Sequence, residues 1–321
     1  MIEMSNKLVS VVIVTCGIKD YLKSCLDSLK KQTYSAFEIT VIDNSLNQNF
    51  SQEIGKHYPE IKLYSSPENL SYCAALNLGI GASKRNFILC LNDDVILDER
   101  FIEEALKVFD IDERIGMVTG KILRSDGKTI DSTALFLSPW RTAKERGYGI
   151  KDKGQYEKEE YVFGINGAVA FYRRKMLEDI SIDSDYFDTD YRFFYEDLDI
   201  AWRAQTFGWK AYYVPKALAY HVRGATARGD YGIDKPYARR YLNDDLHLDL
   251  LKNRYLTLIK NESYFGFMLH LPFILIYDFL VWGYILFFSP NLIKKFILNL
   301  KILKSAFRKR RLIKKRKLFY V

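Results

Sequence analysis

Apolar residues recur along the first hundred positions in two alternating rhythms. Residues 8–15 are a nearly unbroken, β-branched run, the pattern of a strand buried on both faces of a sheet. Tyr21, Leu22, Cys25, Leu26 and Leu29 then repeat at helical spacing, with Asp20 placed to cap that helix. The same reading predicts strands over 37–42 and 61–64, a helix over 72–82 and a strand over 87–91. Strand and helix in alternation imply an α/β chain built on a doubly wound, mostly parallel sheet with helices on both faces. Such sheets bind ligands beyond the carboxyl ends of their strands.

A second block, residues 115–222, carries strand signals over 117–123, 162–172, 209–214 and 217–221. Among them lie a polar stretch, 141–160, and an aromatic-acidic helix start, Phe193-Phe194-Tyr195-Glu196-Asp197-Leu198-Asp199. Trp202 and Trp209 read as core residues, and helical spacing returns over 236–262. Residues 271–288 are apolar apart from Asp278 and reach the roughly 18 residues of a bilayer crossing. Beyond them Ile293, Phe296, Ile297, Leu300, Leu303 and Phe307 form an apolar stripe. Lys294, Lys301, Lys304, Arg308 and Arg311 fall on other faces, which predicts a basic amphipathic helix lying on anionic lipid.

Composition narrows the classes. With 321 residues, 48% hydrophobic and 15% aromatic, the chain can bury a substantial core and is not a disordered tail protein. Cys16, Cys25, Cys73 and Cys90 form no CxxC pair, which argues against a disulfide framework or a zinc finger and fits reduced cytosolic thiols. The first apolar run is too short for a secretory signal. The net charge of +8 is uneven: residues 291–321 hold 12 Lys/Arg and no Asp/Glu, whereas residues 1–264 hold 36 of the 48 basic and 39 of the 40 acidic residues. A mildly acidic globule with a basic tail beside an apolar segment points to an anionic membrane surface rather than to nucleic acid. Asp278 would cost about 2.5–3.5 kcal/mol at a bilayer centre. The positive tail belongs on the cytoplasmic side, so a single crossing would strand the globule outside. A re-entrant or interfacial arrangement keeps both on the cytoplasmic face of the plasma membrane.

Polar residues follow four strands in turn: Thr15-Cys16-Gly17, Asp43-Asn44-Ser45, Asn69 through Cys73, and Asn92-Asp93-Asp94. Singly these are turn and cap residues; four such groups at successive strand ends mark one cleft. The paired carboxylates Asp93 and Asp94 either cap a helix over 98–109 or hold a hard divalent cation that shares substrate phosphates.

With Gly164-Ile165-Asn166-Gly167-Ala168, Tyr195-Glu196-Asp197-Leu198-Asp199 and Tyr220-His221-Val222-Arg223-Gly224, these strings form an ordered set. The set resembles the family 2 inverting glycosyltransferases of GT-A fold, and most of all their rhamnosyltransferase-like branch, over roughly residues 8–260. The resemblance implies a catalytic domain over 1–235, its nucleotide-sugar half ending near 115 and its acceptor half following. A helical connector, 236–264, and membrane-associating helices, 265–321, complete the chain. It implies that Thr15 and Asp43 hold the nucleotide, Asp43 accepting from a pyrimidine base, and that Asn69, Tyr72 and Asn77 line the donor pocket. Asp93 would contact the ribose or the metal, and Asp94 and His221 would ligate a Mg²⁺ or Mn²⁺ ion on the diphosphate. Asp197 would be the general base, oriented by Glu196, with the acceptor approaching Asn166 and Gly167. Cys73 and Ser71 stand where glycine is common and would narrow the donor pocket; Asn92 replaces an acid and would lower the charge at the metal.

The chemistry agrees. A nucleotide diphosphate leaving a sugar needs counter-charge, and an acceptor hydroxyl needs a base on the opposite face, which gives inversion. The expected donor is dTDP-rhamnose, with a UDP-sugar (galactofuranose, glucose or N-acetylglucosamine) as alternative, and the expected acceptor is a lipid-linked or polysaccharide hydroxyl. Two rivals remain. A nucleotidyltransferase would want a glycine-rich loop after the first strand, where Thr15-Cys16-Gly17-Ile18-Lys19 has one glycine. A non-catalytic membrane scaffold would keep the fold without turnover.

Overall fold

The computed structural model describes residues 7–223 and 243–318. Glycine 224 and the start of the helical pattern at 236 lie outside the described residues. The first half alternates β1 (Val9–Thr15), α1 (Lys19–Lys30), β2 (Phe37–Asp43), α2 (Gln48–His57), β3 (Lys62–Ser65), α3 (Tyr72–Gly81) and β4 (Phe87–Asn92). The central β1 runs parallel to β2 and β4, and β3 extends the parallel half beyond β2. Within β1, Val9, Val11 and Ile13 enter one core with Leu22 and Leu26 of α1. Val12 and Val14 enter the other with Leu76 and Ile80 of α3. Burial on both faces is thus the physical content of the unbroken apolar run. A Cβ on Gly79 would come 2.4 Å from Val12 Cγ1, so α3 seats on the sheet only with glycine there.

The second half contributes β5 (Val95–Leu97), α4 (Phe101–Val108), β6 (Ile115–Arg124) and β7 (Ile130–Ser132). The hairpin β8 (Leu135–Leu137)–β9 (Ala143–Glu145), then β10 (Glu160–Val162), β11 (Val169–Arg173), α5 (Arg174–Ile180), α6 (Glu196–Thr206) and β12 (Lys210–His221) follow. The main sheet runs β10-β12-β6-β11-β4-β1-β2-β3, with β5 on β12 and β7 on β6. Strand β11 is antiparallel to both β4 and β6, so the sheet is mixed beyond β4.

Several expectations change in detail. The strand expected over 162–172 is two strands, because Asn166-Gly167 turns the chain between β10 and β11. The segments 209–214 and 217–221 are one strand, β12, whose register slips between Val214 and Leu218 around Pro215, a residue that offers no N–H to the ladder. Asp20 sits in the first turn of α1 and does not cap it. Helix α2, which the hydrophobic pattern leaves unmarked, is capped by Asn47, whose side chain accepts from the N–H groups of Asn49 and Phe50. Trp202 and Trp209 are buried, as expected.

Among the described residues four helices follow: α7 (Asp244–Asn261), α8 (Tyr264–Phe288), α9 (Asn291–Leu298) and α10 (Lys301–Lys317). Helix α8 is, by length and composition, the one described helix long and apolar enough to cross a membrane. It packs lengthwise on α7: Arg254 pairs with Asp278, Trp282 Nε1 donates to Tyr255 Oη at 2.8 Å, and Leu251 clusters with Val281 and Ile285. The expected tail helix is broken at Asn299, and α10 buries Ala306, Lys309 and Ile313 against the globule. Of the expected stripe, Phe296 and Leu303 pack inward, whereas Ile297, Leu300 and Phe307 are exposed. Lys309 reaches Asp190 at 2.7 Å and also pairs with Asp188, so a buried cation joins Ala306 and Ile313 in setting the face that α10 turns to the globule.

Candidate active site

Three loops meet at the carboxyl ends of β1, β2 and β4. The hydroxyl of Thr15 donates to Asp93 Oδ2 at 2.6 Å and accepts from the Gly17 N–H at 3.1 Å. Gly17 has φ +90°, and a Cβ there would lie 2.5 Å from Ser45 Cβ, so glycine alone lets the first two loops touch. Asp43 is buried; its carboxylate accepts from the Ser45 N–H at 2.8 Å and from the Ser51 hydroxyl. Asn44 exchanges two hydrogen bonds with the Leu70 backbone, and Asn69 donates to the Asn44 carbonyl, tying the third loop to the second. Burial, aided by the charge of Asp94 and opposed by Thr15, pushes Asp93 up to about 6.

Register brings His221 to Asp94. Strand β5 runs antiparallel to β12 with Val95 opposite His221, and the Val222 N–H donates to the Asp94 carbonyl. His221 Nε2 lies 3.2 Å from Asp94 Oδ1, while its Nδ1 lies 2.8 Å from Oδ2 of Asp131 on β7. Asp131 is fully buried and also takes a hydrogen bond from Arg223 Nε. Burial disfavours the imidazolium, yet the hydrogen bonds and charges of Asp131 and Asp94 outweigh it and lift His221 to about 9. An Asp–His pair backed by a buried carboxylate is the donor set that fits a divalent ion. The outer carboxylate fixes the ring, and the ion would replace the proton. Among the described residues no three His, Cys, Asp or Glu side chains form a preformed cage, so phosphate oxygens would complete the sphere, as Mg²⁺ sites commonly allow.

The two acids expected to act in catalysis arrive on α6. Phe194 (φ +72°) and Tyr195 (φ +70°) are both left-handed, a conformation costing of order 1–3 kcal/mol each for such residues. Buried Asn253 of α7 holds them, its Nδ2 donating to the carbonyls of Phe193 at 2.8 Å and Phe194 at 2.9 Å. This turn aims Glu196 and Asp197 inward at the positive end of α6. The N–H groups of Leu198 and Gly167 point at the Asp197 carboxylate. Burial raises Asp197 above the usual carboxylate range, and Glu196 Oε2 is buried without a partner. Opposite stands Glu145, at the end of β9, accepting from Asn166 Nδ2 at 2.7 Å and from the Ser132 hydroxyl.

One cavity of about 180 Å³ is lined by Asp94, His221, Glu196, Asp197, Asn166 and Gly167, with Tyr72, Asn92, Glu145, Phe194 and Arg223 beside them. The two acidic groups, so far apart in sequence, therefore share a cleft. Thr15, Asp43, Asn69 and Asp93 do not line it: Asp93, hydrogen-bonded to Thr15, adjoins Asp94, and Asp43 and Asn69 stand in the two loops joined through Asn44. Asn77 does not line it: its amide both accepts from the Phe187 N–H and donates to the Phe187 carbonyl, fastening α3 to the loop before α6. Neither does Cys73 narrow it, being fully buried in the core, and the Ser71 hydroxyl caps α3. Asn92 accepts from the Tyr72 hydroxyl at 2.8 Å. Asp131, Glu145 and Asn253 went unmarked in the sequence; each sits among other polar residues in a stretch that reads as loop or helix surface.

Burial first, then the charge of Asp197, pushes Glu145 and Glu196 each up to about 8. The folded chain keeps protons that an unfolded glutamate, with its value of 4.5, has released. The ligand-free protein therefore loses stability as pH rises from about 4.5 to about 8 and little beyond. Thermal melting across that window should show a shallower slope for Glu145→Gln than for the parent; identical slopes would contradict the assignment.

The family model "Glycosyl transferase family 2" matches residues 10–181. The chain belongs to that family. The matched span includes Thr15, Asp43, Asp93, Asp94, Asp131, Glu145 and Asn166 and stops short of Glu196, Asp197 and His221. Among curated relatives, the "Glycosyltransferase GlyA" of Streptococcus pneumoniae serotype 4 is 24% identical over 160 residues, covering 44% of this chain and 23% of the relative. The poly-beta-1,6-N-acetyl-D-glucosamine synthase of Staphylococcus epidermidis is 22% identical over 223 residues, covering 69% of this family 2 chain and 51% of the synthase. The chain thus matches about half of the synthase and under a quarter of GlyA. Two solved structures share the fold. GalNAc-T7 with UDP, GalNAc and Mn²⁺ has a TM-score of 0.55 at 14% identity, covering 79% of this chain and 50% of that one. S. aureus TarS 1–349 in complex with UDP-GlcNAc has a TM-score of 0.54 at 16% identity, covering 80% and 68%.

Proposed function

We propose that this chain is an inverting glycosyltransferase that moves a sugar from a nucleotide diphosphate donor to an acceptor hydroxyl in bacterial surface glycan synthesis. One observation carries the reading: the Asp94–His221 pair and Asp197 line the same cavity of about 180 Å³. Thr15, Asp43 and Asn69 border the nucleotide end, with Asp43 as the acceptor for a pyrimidine N–H. Asp94 and His221 would hold the cation, with Asp131 fixing the imidazole. Counter-charge for the departing diphosphate is what a divalent ion, Mg²⁺ or Mn²⁺, supplies when bound. Asp197 takes the acceptor proton while the acceptor oxygen bonds to the anomeric carbon. The bond from that carbon to the diphosphate breaks, and the electron pair leaves with the nucleotide. Glu196 and Glu145 hold protons that spare the cleft two further negative charges.

The relatives that make poly-N-acetylglucosamine, and the UDP-GlcNAc complex of TarS, favour UDP-N-acetylglucosamine as the first donor to test. dTDP-rhamnose presents the same pyrimidine N–H and is the second. Incubation with each donor should release UDP or dTDP from one of them only when Mg²⁺ or Mn²⁺ is present, with chelation by EDTA abolishing it. Release from neither, at any metal concentration, would sink the reading.

The protein would work on the cytoplasmic face of the plasma membrane. Helix α8 lies along α7 with Phe279 79% and Leu280 62% exposed, which suits immersion in the interface better than a crossing. Lys301, Lys304, Arg311 and Lys315 are exposed on α10. Each should contribute about 1 kcal/mol of attraction to anionic lipid. Cosedimentation with phosphatidylglycerol vesicles should fall steeply when all four are changed to glutamine, and should fall with added salt in the parent.

A further inference from the structure

A second cavity, of about 380 Å³, adjoins the catalytic cleft through shared walls: Glu145, Phe194, Glu196 and Asp197 line both. Its far wall is Leu135 and Thr142 of the β8–β9 hairpin region, Leu250 of α7 and Tyr277 of α8. The acids are therefore walls common to the metal-pair cleft and to a chamber of mixed lining, in which Leu135, Ala143, Leu250 and Tyr277 stand beside Lys144.

The chamber's walls are fastened to the membrane-facing helices. Arg141, at the hairpin tip, pairs with Glu262 between α7 and α8, and Trp140 meets Phe273 of α8 edge-on at 5.6 Å. Arg254, 1% exposed, pairs with Asp278, stacks over Tyr277 at 4.5 Å and donates to the Trp140 carbonyl at 3.0 Å. Next to Tyr277, the outward face of α8 presents Ile276, Phe279 and Leu280, between 51% and 79% exposed. The chamber thus has Asp197 in one wall and, in another, Tyr277, whose neighbours on α8 form an uncovered apolar surface.

We propose that this chamber is the acceptor site and that it takes a lipid-anchored acceptor, a hydroxyl-bearing sugar head whose alkyl anchor lies along α8. The inference rests on the sugar-transfer reading above and deepens it by naming the acceptor class. The head enters between the hairpin and α7 and offers its hydroxyl to Asp197. That oxygen loses its proton to the Asp197 carboxylate, bonds to the anomeric carbon, and the nucleoside diphosphate departs with the bonding pair. Leu250 and Tyr277 shape the passage, and the alkyl anchor gains burial that a soluble sugar cannot.

The test uses the full chain on phosphatidylglycerol vesicles, with hexadecyl glycosides of glucose, galactose and N-acetylglucosamine and the matching methyl glycosides as acceptors. At least one hexadecyl glycoside should be used about 100-fold more efficiently than its methyl counterpart. Leu250→Trp, which intrudes on the chamber, should raise the KM for that acceptor by about 10–200-fold, the usual penalty of misfit in a pocket; Tyr277→Ala should raise it as well. Retained UDP affinity shows that the nucleotide end is intact in both variants. Equal use of methyl and hexadecyl acceptors overturns the inference. So does unchanged acceptor KM in both variants, or no transfer to any hexadecyl head by protein that hydrolyses its donor. A wild-type protein that turns over no donor at all overturns instead the sugar-transfer reading on which the inference stands.

Discussion

Asparagine in place of Asp197 should lower kcat by about 10²–10⁴-fold, the usual contribution of a positioned general base, with donor KM little changed. The amide fills the same space and its oxygen still accepts from the Leu198 N–H, which lies 2.7 Å from Oδ1, so the turn at the head of α6 survives. What is lost is the lone pair that takes a proton. Glu196→Gln, with its carboxyl already pushed up to about 8 by burial and by Asp197, should cost much less at neutral pH. Steady-state kinetics of both variants with a matched melting curve would check this. A full-rate Asp197→Asn would move the base elsewhere in the cleft.

Lys260→Met should destabilise the protein by about 3–5 kcal/mol, since it strips the counter-charge from buried acids. The Lys260 ammonium is fully buried between Asp188 and Asp199, and Asp199 in turn pairs with Arg203 at 2.9 Å. Burial alone would raise both acids; Lys260, with Lys309 for Asp188 and Arg203 for Asp199, holds them below the usual range instead. Their folded pKa values are depressed, so this stability is present above about pH 4 and is lost as pH falls further. Thermal melting at neutral pH should show a drop of about 10 °C. Asp199→Asn added to Lys260→Met should restore part of it, because one uncompensated charge is gone. A Lys260→Met protein that melts like the parent would show that the network carries no net stability.

Much of the donor half was legible because parallel strands buried on both faces announce themselves as apolar runs. Each is followed by the polar residues that end it, so Thr15, Asp43 and Asp94 could be placed before any fold was known. That Glu196 and Asp197 open a helix was legible from the aromatic pair before them and the acids themselves. Glu145 and Asp131 were not. An acid in a three-residue strand looks the same in sequence whether it is solvated or sealed in a cleft, and only the register of β7 on β6 and of β8 on β9 decides. Asn77 misled for the converse reason. Its amide satisfies the Phe187 backbone, a partner 110 positions away. The tail misled because its stripe was read from apolar residues, whereas Lys309 joins Ala306 and Ile313 in docking α10.

The two carbonyls that Asn253 grips have a bearing on how this protein can be handled. That asparagine lies well past residue 181, where the family match stops. A shortened version, trimmed ahead of the closing helices to make it dissolve, would keep every hallmark string of the nucleotide half. It would still unclasp the kink that presents Glu196 and Asp197, and with Asp197 as the proposed base it should bind nucleotide yet transfer nothing.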